Sequence, residues 1–171
     1  MKTNIKKMVK MVTLLVTSLL IAKASADTYT YLFMHVGITV TSQQVIWIYQ
    51  GQTVPGSTVE PSFTVQQGVY TWYNNTLYLK NTGTADVTVN IIVTEPASTS
   101  VFSICKVYVY ENFTTPGTWS LLGSLNALTD NNALNDQLLK GNGGYFKFDF
   151  EIQTKTEAQT GNYGFEITVV Y

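Results

Sequence analysis

The sequence predicts an all-β fold: a two-sheet antiparallel β-sandwich, jelly-roll-like, with one short helical insertion. Three observations point there. Apolar and polar residues alternate with period two through several runs, each reading as a strand with one face on a core. Paired turn residues punctuate those runs: Gln50-Gly51, Gln67-Gly68, Thr82-Gly83, Pro116-Gly117 and Gly161-Asn162. Finally, the 171 residues, less an export segment at the N-terminus, leave about 145, one domain by length.

Residues 1–26 read as that export segment. Lys2, Lys6, Lys7 and Lys10 form a positive start, residues 11–22 are mainly apolar, and Ala24-Ser25-Ala26 offers the small residues a signal peptidase reads. Cleavage there starts the mature chain at Asp27. A spanning anchor would need roughly 20 apolar residues, and this run is shorter and broken by Thr13, Thr17 and Ser18. A retained pilin-type helix is the other alternative, but Thr28-Tyr29-Thr30-Tyr31 turns at once to β-type residues. The expectation is a secreted, extracellular protein with no membrane span in its mature form, and 27–171 as a single sandwich domain.

The mature start, 27–40, is extended and apolar on both faces. Tyr29, Tyr31 and Phe33 share one face, and Leu32, Met34, Val36, Ile38 and Val40 the other. Such a strand must be covered on both sides or it templates aggregation. It is either the first strand of its own sandwich or a donor strand, 27–36, that completes a groove in the next copy by β-strand addition. In the second case Asp27, Tyr29, Tyr31, Leu32, Phe33, Met34 and Val36 carry polymerisation, with Gly37 as a pivot. A head-to-tail contact of that kind propagates into a fibre rather than closing into a dimer.

Further strands are expected over Val45–Tyr49, Ser62–Gln66, 69–80, 87–93, 102–111, 145–152 and 163–171. Residues 124–139 resist this pattern: Leu125, Leu128, Leu134, Leu138 and Leu139 fall near helical spacing, which predicts a short helix crossing one end of the sandwich. Asp130 would cap it, in preference to a calcium loop built from Asp130, Asn131, Asn132, Asn135 and Asp136.

Charge narrows the partners. All ten basic residues are lysines, and five of them lie in residues 1–26. The remainder sets five lysines against eleven acids, a net charge of −6. Nucleic-acid binding and polybasic membrane attachment both need clustered positive charge, so both are excluded. One cysteine and one histidine exclude an internal disulfide and a closed zinc site.

Catalytic patterns are sparse. His35 lies beside a chain terminus, a poor place to fix a general base. Cys105 shares a face with Val107 and Val109 and reads as a small buried hydrophobe. Asp149 and Glu151 lie about 7 Å apart on one strand face, a spacing that mimics a glycosidase pair, although alternating charge on a solvent face explains them more simply. Phosphate-binding and dinucleotide motifs are absent from the sequence, and no enzyme, metal or cofactor is expected. Asn74-Asn75-Thr76 and Asn112-Phe113-Thr114 are N-glycosylation sequons, at Asn74 and Asn112. Threonine, 22 residues of the expected mature chain, suits outward strand positions.

Residues 77–91, Leu-Tyr-Leu-Lys-Asn-Thr-Gly-Thr-Ala-Asp-Val-Thr-Val-Asn-Ile, resemble the strand–Asn-Thr-Gly–strand hairpin of the camelysin/TasA-like fibre proteins, and likewise of archaeal thread and bundling-pilus subunits. The order of parts is also similar: signal peptide, sandwich, helical insertion, a Gly-led strand over 141–151, and a final strand. The resemblance implies a jelly-roll subunit that polymerises by donor-strand complementation through its mature N-terminus into biofilm or adhesion filaments. Its partners would be adjacent copies of itself. The alternative expectation is a secreted carbohydrate- or surface-binding sandwich that uses Trp47, Trp72 and Trp119 against cell-surface or matrix glycans.

Overall fold

A computed structural model describes the backbone of residues 29–39, 44–54, 58–112 and 118–171. The side chains of residues 29–32, 35, 37–39 and 75–76 lie outside that description. Among the described residues twelve strands follow one another: β1 (Tyr29–Thr39), β2 (Val45–Tyr49), β3 (Gln52–Val54), β4 (Thr58–Val59), β5 (Ser62–Gln66), β6 (Tyr70–Asn81), β7 (Val87–Glu95), β8 (Phe102–Asn112), β9 (Ser120–Asn126), β10 (Ala133–Leu139), β11 (Tyr145–Thr154) and β12 (Asn162–Val170). They form two packed six-stranded sheets. The first runs β10-β7-β12-β1-β4, with β5 also on β1, and the second runs β3-β2-β6-β11-β8-β9. The two-sheet sandwich read from the alternation is therefore the fold.

Inward residues of both sheets make one core. Met34, Val36, Phe63, Val89, Ile91, Phe165, Ile167 and Val169 face Trp47, Leu77, Leu79, Val107, Phe146, Phe148 and Phe150, all buried. Aromatic contacts knit it together: Trp47 meets Phe148 at 5.4 Å between centroids, and Phe63 of the first sheet meets Phe150 of the second at 4.9 Å.

Three expectations need correction. The helical insertion is absent: β9 and β10 occupy 124–139 with turns between them. Only Leu125 and Leu139 of its five leucines are fully buried, and Leu138 is exposed. A register shift between Leu134 and Gln137, with Asp136 at φ 54°, breaks the two-residue period. That break is what mimics a helical spacing. Asp130 consequently caps no helix; its Oδ1 accepts the Asn131 N–H within a turn.

Pairing is antiparallel throughout the described strands except between β1 and β12, which run parallel. The two strands come from opposite ends of the chain, so no hairpin dictates their direction.

The third correction concerns the turns. Gln50-Gly51, with φ of 49° and 77°, closes a true hairpin between β2 and β3. Gln67-Gly68, Thr82-Gly83 and Gly161-Asn162 instead carry the chain from one sheet to the other. The Asn81-Thr82-Gly83 segment is thus an arch, not a hairpin. Buried Asn81 holds it: Nδ2 donates to Ala85 O (2.9 Å) and Leu139 O (3.2 Å), and Oδ1 accepts from Gly83 N (2.9 Å). Backbone bonds Asn81 N to Gly144 O and Asn142 N to Gly83 O lock the arch against the turn before β11. Pro116-Gly117 lies outside the described residues.

Candidate functional site

Strand β1 occupies a slot in the first sheet. On one side it pairs with β12 from Tyr31↔Asn162 to Thr39↔Val170. On the other it pairs with β5 over Tyr29–Phe33 and with β4 at Val36 and Gly37. Glu60 and Pro61 break that edge into two strands, since proline has no ladder N–H, but Pro61 O still accepts from Met34 N at 3.0 Å. Met34 and Val36 point into the core, while Phe33 is 38% exposed on the outer face. The fit to β12 is close at Gly164, where a Cβ would lie 2.9 Å from Phe33 O.

Several sequence-predicted donor residues therefore meet the structure at β1, in the position of the chain's own first strand. Strand β1 runs unbroken through Gly37 to Thr39, and only residues 40–44 separate it from β2 in the opposite sheet. Asp27 and the side chains of Tyr29, Tyr31, Leu32 and His35 lie outside the described residues.

The outward face of the second sheet is the other unusual surface. Its central strand, β11, is buried on both faces, and Lys147, Asp149 and Glu151 point away from the core yet are only 8%, 3% and 9% exposed. The reading of Asp149 and Glu151 as solvent-facing charges is corrected by this. Aromatic side chains from neighbouring strands cover them. Lys147 Nζ lies 4.4 Å from the Tyr110 ring centre and 5.3 Å from that of Trp119, and Trp119 packs on Tyr78. Its ammonium pairs with Asp149 Oδ2 at 2.9 Å.

Glu151 is satisfied differently. Tyr108 donates to Glu151 Oε2 at 2.6 Å, and Lys106 lies 3.9 Å from the same oxygen. The bond to Glu151, then burial and charge, push the Tyr108 hydroxyl up to about 12. Tyr108 in turn packs on Trp72 with centroids 4.9 Å apart, and Tyr70 beside them is 50% exposed. With both carboxylates held by protein partners, the row works as a buried polar floor beneath an aromatic surface.

Other predicted residues are placed separately. Trp47 is fully buried in the core, so no row of three tryptophans exists; Trp72 and Trp119 remain on the outward face of the second sheet. Cys105 is buried, and burial pushes its thiol up to about 12. Asn74 is exposed on β6, and Asn112 ends β8. The covering residues Tyr70, Tyr78, Tyr108 and Tyr110, and the burial of Lys147 beneath such a cover, were missed by sequence reasoning. Their signal was the shared parity of three runs, 70–72–74, 106–108–110 and 147–149–151, which only pairing of β6 and β8 with β11 brings together. Comparison with protein-family models, curated proteins and solved structures finds no match for this chain.

Proposed function

We propose that the chain is a secreted structural subunit of an extracellular filament that polymerises by donor-strand exchange through its mature N-terminus. The role is structural rather than catalytic, and the partners are adjacent copies of the chain in adhesive or biofilm fibres. The observation that carries the reading is the parallel seat of β1 between β12 and β5/β4. A strand joined to the fold only through residues 40–44 can be replaced by the same strand of a neighbour in unchanged register. Met34 and Val36 would then fill the neighbour's core as they fill their own. The likeness of residues 77–91 to the camelysin/TasA-like fibre proteins is one of sequence alone, since the segment is an arch between the two sheets.

A cysteine pair at the register partners His35 and Glu166 tests it. Adjacent strands lie roughly 4.8 Å apart, within disulfide reach, and native Cys105 is buried away from the pair. The mature double variant, oxidised before assembly, should stay monomeric and form filaments once reduced. Oxidised after assembly, it should run as a covalent ladder on a non-reducing gel. Filaments whose cross-links are all intramolecular would refute the exchange.

A further inference from the structure

We propose that Asn74 carries an N-linked glycan whose first sugar stacks on Trp72, so that the aromatic outward face of the second sheet is a platform for the chain's own carbohydrate. The inference is independent of the filament reading. Its first support is placement. Asn74 is exposed, and residues 74–76 bulge out of the β6–β11 ladder, because Phe148 pairs with Leu77 while Phe150 pairs with Tyr73. A bulge frees the sequon's backbone from ladder pairing, which a transferring enzyme needs in order to seat it.

The second support is the neighbour two residues upstream. Trp72, paired with Glu151 on the outward face, stands at the edge of the bulge, within reach of a sugar on exposed Asn74. That ring is already fixed: it packs on Tyr108, whose hydroxyl is tied to buried Glu151. A sugar's C–H face gains by covering an indole, and a held indole loses little freedom in the process. Half-exposed Tyr70 extends the same surface. Tyr110 and Asn112 repeat the i−2 spacing, although Thr114 of that sequon lies outside the described residues.

The co-reactant is a polyprenyl diphosphate-linked oligosaccharide. Nδ2 of Asn74 bonds to the sugar C1, the bond from C1 to the diphosphate oxygen breaks, and the amide gives up one proton.

Export of the full chain from eukaryotic cells in an Asn112→Gln background isolates the site. Intact mass should show a glycan that peptide-N-glycosidase removes and that Asn74→Gln abolishes. Removing the sugar should lower the melting temperature by about 2–4 °C in the parent and in Trp72→Phe. The same treatment should leave Trp72→Ala and Trp72→Leu unmoved; the leucine variant preserves apolar volume should the alanine variant fail to fold. An unmodified Asn74, or an equal drop without the ring, overturns the proposal.

Discussion

Replacing Asn81 by alanine removes the side chain that clamps the arch between β6 and β7. Three hydrogen bonds go with it: those donated to Ala85 O and Leu139 O and the one accepted from Gly83 N. Asn81 is fully buried, and the bond to Leu139 lies in the interior. A deleted bond costs about 1 kcal/mol net, and a buried group left without its partner costs about 1–3 kcal/mol. Two bonds here are only partly buried, so the sum is about 2–4 kcal/mol. A domain of this size has roughly 5–15 kcal/mol in hand. With a urea dependence of about 2 kcal/mol per molar, the midpoint should fall by about 1–2 M.

Asn81→Asp separates bond loss from lost volume. Aspartate is nearly isosteric and still accepts from Gly83, but when ionised it turns an oxygen toward two carbonyls. Burial without a counter-charge raises its folded pKa above the unfolded value near 3.9. The unfolded state then binds fewer protons between the two values, so stability falls as pH rises. The variant should be close to the parent at pH 4 and much weaker at pH 7. Thr160→Ala is the control, an exposed loop residue outside the arch. Urea melts that place Asn81→Ala within 0.5 kcal/mol of the control, roughly the scatter of surface substitutions, would refute the clamp.

Two further outcomes follow from the outward face of the second sheet. Asp149→Ala strands the Lys147 ammonium under its aromatic cover and should cost about 3–5 kcal/mol, whereas Lys147→Met with Asp149→Leu should be nearly neutral; a chemical-denaturation cycle reads the difference. The hydroxyl of Tyr108 and the thiol of Cys105 are both pushed up to about 12 from ordinary values of 10 and 9, so the unfolded chain loses their protons first. Stability should therefore decline as pH rises from about 9 to 12, and Tyr108→Phe should lessen the part above 10, as followed by circular dichroism melts across that range.

The fold was legible wherever one strand face met the core. Phe146, Phe148, Phe150 and Ile152 alternate cleanly because β11 packs its inner face on the opposing sheet. What period two does not carry is the identity of the neighbouring strand. Gln67-Gly68 and Gly161-Asn162 read as turns suited to antiparallel pairing, but a glycine that reverses a chain serves equally well to pass it between sheets. The bulge in β10 similarly turned a strand pattern into a helical one. Charge failed for a related reason. Lys147, Asp149 and Glu151 mark a solvent face only while their neighbours are unknown, and Tyr110, Tyr108 and Trp72 on the adjoining strands bury them.

The same non-local pairing defines what a polymer must overcome. Strand β1 and strand β12 meet across most of the chain, as at Phe33 and Gly164, so their pairing is entropically among the last to be repaid during folding. Until then the slot beside β12 is open. Five residues, 40–44, tie β1 to its own subunit, and a tether that short holds it at a local concentration on the order of millimolar. A neighbour's strand at micromolar concentration competes at a disadvantage of about a thousandfold, or about 4 kcal/mol. Exchange alone creates no new ladder, because the register is identical in either case. Fibres formed by the proposed exchange would therefore have to gain that difference from contacts between subunits or from a tether that relaxes on leaving its own slot. On that proposal, the residues that would decide assembly lie in 40–44 and on the surfaces that subunits would bring together, rather than in the β1 ladder itself.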